Sequence, residues 1–131
     1  MTSVQAATTA GVQDADEVQI SFDPTFQRLT IHHVRVLREG RIAWSASPAD
    51  IRVIEAEQNL EERLYNGDLT AMVFPRDLRV GDVVDYAFTL HGQNPVLGGR
   101  FDDILGVVYG SPADVVRRRL LWPKGRKLHV R

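Results

Sequence analysis

The sequence predicts a mainly β protein, an antiparallel β-sandwich of about eight to ten short strands, with one short helix allowed within residues 56–64. Two observations favour this class. Apolar and polar residues alternate over many short segments, as they do on strands with one buried face. Turn-forming pairs rich in glycine, asparagine and proline separate these segments, and no repeated strand–helix unit lies between them.

The composition fits one folded domain. The 131 residues are 44% hydrophobic and 25% charged, so most of the chain can fold around a core. A net charge of -1 gives no general attraction to nucleic acid, and we expect no nucleic-acid partner. The absence of cysteine excludes disulfides and a cysteine nucleophile within this chain. No apolar run reaches the roughly 20 residues of a membrane span, and residues 1–11 lack the pattern of a signal peptide.

The domain limits follow from where alternation begins and ends. We expect residues 1–15, which are rich in alanine and threonine, to be a flexible lead-in, and residues 16–131 to form a single β-sandwich domain. The last predicted strand, 127–131, has no closing turn after it. This pattern predicts a domain truncated at its C-terminal end, with an exposed sheet edge through which two copies could pair as a dimer.

The longest predicted strand covers residues 27–38, and its apolar phase shifts at His32-His33. By strand geometry the apolar residues before and after the histidines fall on opposite faces: Leu29 and Ile31 before them, Val34 and Val36 after them. We therefore expect a β-bulge or a sheet-crossing bend at the two histidines.

Turn signals locate the other strands. Glu39-Gly40 predicts a hairpin into strand 41–45, where Ile42 and Trp44 share a side, and Asn66-Gly67 predicts a second hairpin. Residues 47–50 resemble a helix start, but the alternation that follows favours a short strand. The further predicted strands are 18–22, 51–55, 69–74, 84–90, 101–109 and 113–122.

The candidate chemistry is weak at each position. Adjacent strand residues point to opposite faces, so we expect one buried and one solvated side chain at His32-His33 and no metal site. Four glutamates within 55–62 are interpreted as a solvated face, and residues 117–119, three arginines, as charges that guard an edge strand. No serine lies in a nucleophile elbow. We therefore predict no catalytic residue, no metal ligand and no cofactor.

If this chain binds a ligand, the glycine-rich loop 92–100 is the predicted place. Its glycines let the backbone approach a ligand closely, while Asn94 and Arg100 add side-chain donors. The loop lacks the lysine and hydroxyl residue of a phosphate-binding loop. The predicted binding residues are Asn94, Arg100 and the aromatic Tyr65, and a shaped turn without a ligand is the simpler interpretation of the same loop.

An ordered series of short motifs resembles the bacterial domain-of-unknown-function family 3857, the β-rich N-terminal domain found ahead of transglutaminase-like domains. The resemblance covers roughly residues 14–110. Its motifs are Asp16-Glu17-Val18, Phe22-Asp23-Pro24, Leu64-Tyr65-Asn66-Gly67, Leu78-Arg79-Val80-Gly81-Asp82, Gly92-Gln93-Asn94-Pro95 and Gly98-Gly99-Arg100-Phe101.

The resemblance implies a non-catalytic accessory module of a larger, exported protein, periplasmic or secreted. Catalysis would belong to a downstream transglutaminase-like domain of the papain-like cysteine protease superfamily, which would be the partner in the same polypeptide. Three hypotheses stay open. An accessory module predicts an exposed apolar patch. A peptide- or glycan-binding module acting through the 92–100 loop predicts a concave polar site with exposed aromatic residues such as Tyr65 or Trp44. An enzyme predicts clustered ionisable groups in a cleft.

Overall fold

The structure of the chain is a computed structural model that describes residues 2–55, 67–100, 112–125 and 127. The chain divides into two units, Met1–Gly99 and Arg100–Arg131. The described strands and helices all belong to the first unit. The predictions for the helix within 56–64, for residues 63–66 of the second hairpin and for strand 101–109 lie outside the described residues, as does almost all of strand 127–131.

In the first unit the described residues contain seven strands, one α-helix and two 3-10 turns. The helix α1 is Thr9–Ala15, and the 3-10 turns are Pro48–Asp50 and Pro95–Leu97. The strands are β1 (Thr2–Gln5), β2 (Val18–Phe22), β3 (Gln27–Arg38), β4 (Arg41–Ser45), β5 (Ile51–Glu55), β6 (Leu69–Val73) and β7 (Val83–Gly92).

These strands form two antiparallel sheets, which confirms the predicted mainly β class. The first sheet has the order β1-β7-β3-β4 and the second has the order β2-β6-β5. One hydrophobic core takes residues from both sheets: Val34 and Val84 from the first, and Val18, Ile20 and Val73 from the second. Alternation predicts these strands because burying one face of each sheet removes apolar area from water.

Residues 2–15, which the sequence predicts to be a flexible lead-in, contain a strand and a helix in the structure. β1 pairs with residues Val83–Tyr86 of β7, and α1 is capped by the Thr8 side chain, which accepts from the Gly11 N–H at 3.0 Å. Ala6 and Ala15 are buried in the core. Small residues are required because the chain passes close to the core here, and their small size weakens the hydrophobic pattern in the sequence.

The predicted bulge in β3 is confirmed, since the register with β7 shifts between Ile31 and His33. The sequence predicts that the apolar residues before and after the bulge fall on opposite faces of the sheet, and the structure differs. The apolar residues on both sides of the bulge lie opposite alternate residues of β7, which all share one face: Leu29 opposite Leu90, Ile31 opposite Phe88, Val34 opposite Tyr86 and Val36 opposite Val84. The extra residue therefore restores one continuous apolar face toward the core.

A second irregularity separates Ile42 from Trp44. The register between β3 and β4 pairs Val36 with Trp44 but Leu37 with Ile42, which leaves Ala43 as an extra residue. Trp44 packs against the core, whereas Ile42 is 60% exposed. The prediction that these two side chains share a side is therefore wrong, because alternation alone does not include the bulge.

The first sheet has two unlike halves. In the four-stranded half, β1 and β4 flank Val34–Arg38 of β3 and Val83–Tyr86 of β7. In the other half, Gln27–His33 and Ala87–Gly92 pair only with each other among the residues described. We call this second half the ribbon.

The second unit is described at Arg100, over residues 112–125 and at Lys127. These residues contain no helix or strand, so the predicted strand 113–122 is wrong, and so is its interpretation as an edge strand guarded by Arg117–Arg119. A turn at Lys124-Gly125 follows Pro123, as predicted. Across the described residues, no helix is both long enough and apolar enough to cross a membrane.

Candidate functional site

A buried carboxylate lies on the face of the four-stranded half that points away from the core. Asp85 is 2% exposed and accepts three side-chain hydrogen bonds. Ser3 Oγ donates to Oδ1 at 2.8 Å, Arg35 Nε donates to Oδ2 at 2.7 Å, and His33 Nε2 lies 3.1 Å from Oδ2. The donors come from β1 and β3, the two strands that flank β7, so the cluster ties three strands together.

The environment of Asp85 keeps it ionised. Burial raises the pKa of this carboxyl, but the hydrogen bonds from Ser3 and Arg35 and the charges of Arg35 and His33 lower it further than burial raises it. The net result is a pKa below the ordinary value of an aspartate. A carboxylate held in this way is a poor general base, because a base near neutral pH needs a raised affinity for the proton.

The cluster contains the residue types of a Ser–His–Asp triad, but its geometry is different. In a triad the histidine lies between the other two groups and accepts the serine proton. Here Ser3 and His33 both bond to Asp85, one on each carboxylate oxygen. The serine hydroxyl is therefore directed at the carboxylate and not at a base, and the arrangement fits a structural clasp.

A second buried carboxylate closes one end of the core. Asp82 is 2% exposed and is bound by both the Nε and Nη2 of Arg38, at 2.9 and 2.8 Å, and by the Arg79 N–H at 2.9 Å. The hydrogen bond from Arg38 is the largest influence, and it holds the pKa of Asp82 below its ordinary value despite burial. The Asp82 carbonyl also accepts from the Ala6 N–H at 2.9 Å, so this residue joins β3, the β6–β7 loop and the N-terminal segment.

The ribbon presents an apolar face that is only partly covered. Leu29, Ile31 and Tyr86 pack against the core, but Phe88 and Leu90, which lie opposite Ile31 and Leu29, are 36% and 39% exposed. The rings of Tyr86 and Phe88 stack with centroids 6.4 Å apart and an angle of 8° between their planes. On the β7 side of this face, Phe88 and Leu90 therefore form an exposed apolar strip beside residues of β3 that pack against the core.

The opposite face of the ribbon is polar, and it brings together two residues that were predicted to separate. The bulge turns both histidines outward: His32 Nε2 lies 2.8 Å from Thr89 Oγ1, while His33 bonds Asp85. His32 is exposed and His33 is half-buried, which corrects the prediction of one buried and one solvated side chain on opposite faces. The two rings point toward opposite ends of β7, so they do not converge on one ion.

The predicted binding residues fall in different parts of the chain. Asn94 belongs to the first unit, where its Oδ1 accepts from the Val96 N–H at 3.0 Å and caps the 3-10 turn Pro95–Leu97. Arg100 is exposed and belongs to the second unit, while Tyr65 lies outside the described residues. Trp44 packs against the core. Ligand binding through Asn94, Arg100 and Tyr65 stays a prediction.

Sequence reasoning missed the cluster around Asp85. The signal that could have found it is a charged residue within the apolar strand Val83-Val84-Asp85-Tyr86-Ala87-Phe88, since a charge in such a strand needs a partner. The partners His33 and Arg35 lie 52 and 50 residues away along the chain, so spacing does not identify them. Within the described ranges, no three acidic or histidine side chains converge as metal ligands.

Comparisons with known proteins identify the kind of domain. The family model of DUF3857, a domain of unknown function with a solved structure, matches residues 2–131. A search of curated proteins gives no match. A crystal structure from Parabacteroides distasonis, described as a "putative protease", matches with a TM-score of 0.56 and 18% identity, over 66% of this chain and 17% of that chain. At this identity the likeness shows the fold alone, and the matched part is a small portion of that longer chain.

Proposed function

The chain belongs to the domain-of-unknown-function family 3857, and we propose that it is a non-catalytic docking module of a larger protein. Its partner would be a transglutaminase-like domain of the papain-like cysteine protease superfamily in the same polypeptide. The module would hold that domain in position and shield its apolar surface. The sequence motifs that resemble the family support this arrangement, and they also support an exported location, periplasmic or secreted.

One observation carries the proposal: in the ribbon, the core face of the first sheet includes an exposed apolar strip on β7. Val34 and Val36 on this face are buried, whereas Phe88 and Leu90 on the same face are more than one third exposed. Side chains of this size in water lose the free energy of burial, roughly 25 cal/mol for each Å² left exposed. Exposed apolar side chains on the core face of a sheet are our candidate for a surface that a partner covers.

The polar clusters support a structural and not a catalytic role. The acceptor oxygens of Asp82 and Asp85 are occupied by donors of the chain itself, and both carboxyls have a lowered pKa. Catalytic acids and bases more often carry a pKa moved toward neutrality. In these clusters the ionised groups stabilise the junction of β1, β3 and β7.

The test is a calorimetric titration of the purified chain with the separately expressed downstream domain. The proposal predicts saturable binding that Phe88→Ser and Leu90→Gln each weaken by about tenfold, which is a usual effect for a buried anchor at an interface. The matched control is Ile42→Ser, which alters an exposed apolar residue on the opposite face of the same sheet. Circular dichroism of each variant shows whether its fold is intact.

Two outcomes would contradict the proposal. One is the absence of binding up to roughly millimolar concentration, because an affinity weaker than this is of little use for a specific contact. The other is an equal loss of binding in Ile42→Ser and Leu90→Gln, because these side chains lie on opposite faces. Either result would favour the alternative hypothesis, a peptide- or glycan-binding module acting through the 92–100 loop. Binding of peptides and glycans would then be compared between the unaltered chain and Arg100→Ala.

A further inference from the structure

The outer face of the ribbon concentrates basic side chains, and its strand segments contain no acidic ones. Residues 27–33 and 87–92 contain Arg28, three of the four histidines of the chain, and no aspartate or glutamate. The histidines are His32, His33 and His91. This composition contrasts with a chain that has 17 acidic residues against 16 basic ones overall.

The register brings the cationic groups of the ribbon together. Arg28 of β3 lies directly opposite His91 of β7, and both are exposed. His32 reaches the same face through the bulge and bonds Thr89, which is two residues before His91. Arg28, His32 and His91 therefore form a patch across two strands, which we call the histidine patch.

Arg28 differs from the arginines that bind aspartates, and it shares the absence of an ion pair among the residues described with Arg41 and Arg52. Arg35, Arg38, Arg76 and Arg79 each form an ion pair with an aspartate. For Arg28 no carboxylate lies within ion-pair distance among the residues described. On the same face, toward the four-stranded half, His33 and Arg35 bind the Asp85 carboxylate.

We propose that the histidine patch binds a carboxylate-bearing segment of a partner protein, and that mild acid strengthens this binding. Basic side chains on an exposed sheet face, with no acidic residue on the same strand segments, favour an anionic partner by electrostatic complementarity. Histidine side chains gain charge in the range between pH 5 and 8, in which glutamate stays ionised. A partner with a few carboxylates fits better than a long polyanion, because three cationic groups offer few contacts and the rest of the chain is slightly acidic.

This inference rests on the proposed docking role and adds the chemistry of the partner. The direct probe is a fluorescein-labelled peptide of ten alternating glutamate and serine residues, with binding followed by fluorescence anisotropy at pH 7.5 and 5.5. We expect binding about fivefold tighter at pH 5.5 and weaker at high salt. Arg28→Gln and His91→Gln should each weaken it by about two- to fivefold, as usual for exposed charge pairs.

The matched control is Arg52→Gln, which removes the same charge from an exposed strand position in the second sheet. Equal losses in Arg28→Gln and Arg52→Gln, or no binding at either pH, would overturn the inference. Tighter binding of dextran sulfate through the same residues would also overturn it, in favour of a sulfated glycan. If the downstream domain binds Arg28→Gln as well as the unaltered chain, the docking proposal stands and only the histidine patch is rejected.

Discussion

The two halves of the first sheet use the same pair of strands in opposite ways. In the four-stranded half, β3 and β7 are flanked on both sides, their apolar face is buried and their carboxylates are bound. In the ribbon, the apolar face is partly exposed, and among the residues described the same strands have no flanking strand and Arg28 has no ion pair. This difference is the basis of our proposal that the first half stabilises the fold and that the second half docks a partner.

We expect the largest effect on stability from a substitution at the end of the ribbon. Gly92 has a φ of +139°, and a Cβ built on it would lie 1.8 Å from the carbonyl oxygen of Phe26. We expect Gly92→Ala to reduce the free energy of unfolding by about 3 kcal/mol or more, because backbone must move. Gly40→Ala is the control, since Gly40 also has a positive φ but nothing within 4 Å, and it should cost about 1 kcal/mol. Denaturant unfolding measures both, and equal losses would contradict this account of the turn.

The clasp in the four-stranded half should have the next largest effect. Asp85→Ala removes the acceptor of Ser3, Arg35 and His33, and we expect a loss of about 2–3 kcal/mol in the free energy of unfolding. Asp14→Ala alters an exposed aspartate of α1 and should change stability by less than about 0.5 kcal/mol. A loss below that of the control would show that the Asp85 cluster contributes nothing to the fold. Thermal unfolding of the two variants provides the measurement.

Matched truncations sharpen the comparison between the two halves. Val34→Ala deletes a side chain that is 1% exposed, and we expect it to cost about 2 kcal/mol. Leu90→Ala deletes more atoms, but from a side chain that is 39% exposed, so we expect less than about 1 kcal/mol. The order is the informative result in a denaturant titration. A larger loss for Leu90→Ala would mean that the ribbon face is core.

The smallest expected effect is a difference in acid sensitivity. Asp82 and Asp85 have folded pKa values below their ordinary value, so the stability that they contribute is complete above about pH 4 and is lost as the pH falls through the folded values. Arg38→Gln should reduce the loss on acidification between pH 5 and 2, because Arg38 is the main cause of the lowered pKa of Asp82. Arg28→Gln, in the ribbon, should leave the acid slope unchanged. If Arg38→Gln loses stability with falling pH as steeply as the unaltered chain, Arg38 is not the main cause of the lowered pKa of Asp82.

Local sequence patterns predicted where the strands lie better than they predicted which face of the sheet each side chain occupies. Alternation and turn residues located β2, β3, β4 and β5, and the phase shift at His32-His33 located the bulge. Alternation could not show that the bulge rejoins the two apolar segments on one face, because that depends on the partner strand. The same limit explains the error at Ile42 and Trp44, where the extra residue in β4 has no local signal.

The N-terminus and the Asp85 cluster were missed for different reasons. β1 is a short, fully exposed edge strand, so its sequence shows no buried alternation, and the pairing partner lies far along the chain. The cluster joins β1, β3 and β7, and a single sequence carries no information on which distant polar residues meet. The exposed strip Phe88 and Leu90 was predicted only in kind, as an apolar patch, because exposure depends on the length of the second sheet.

The central claim is that the ribbon docks a partner while the four-stranded half holds the fold. The most direct measurement is amide hydrogen exchange of the chain alone and in a saturated mixture with the downstream domain. The account predicts slower exchange at residues 27–33 and 87–92 in the mixture, with residues 83–86 unchanged. New protection confined to the four-stranded half, or no added protection in the ribbon at saturation, would contradict it.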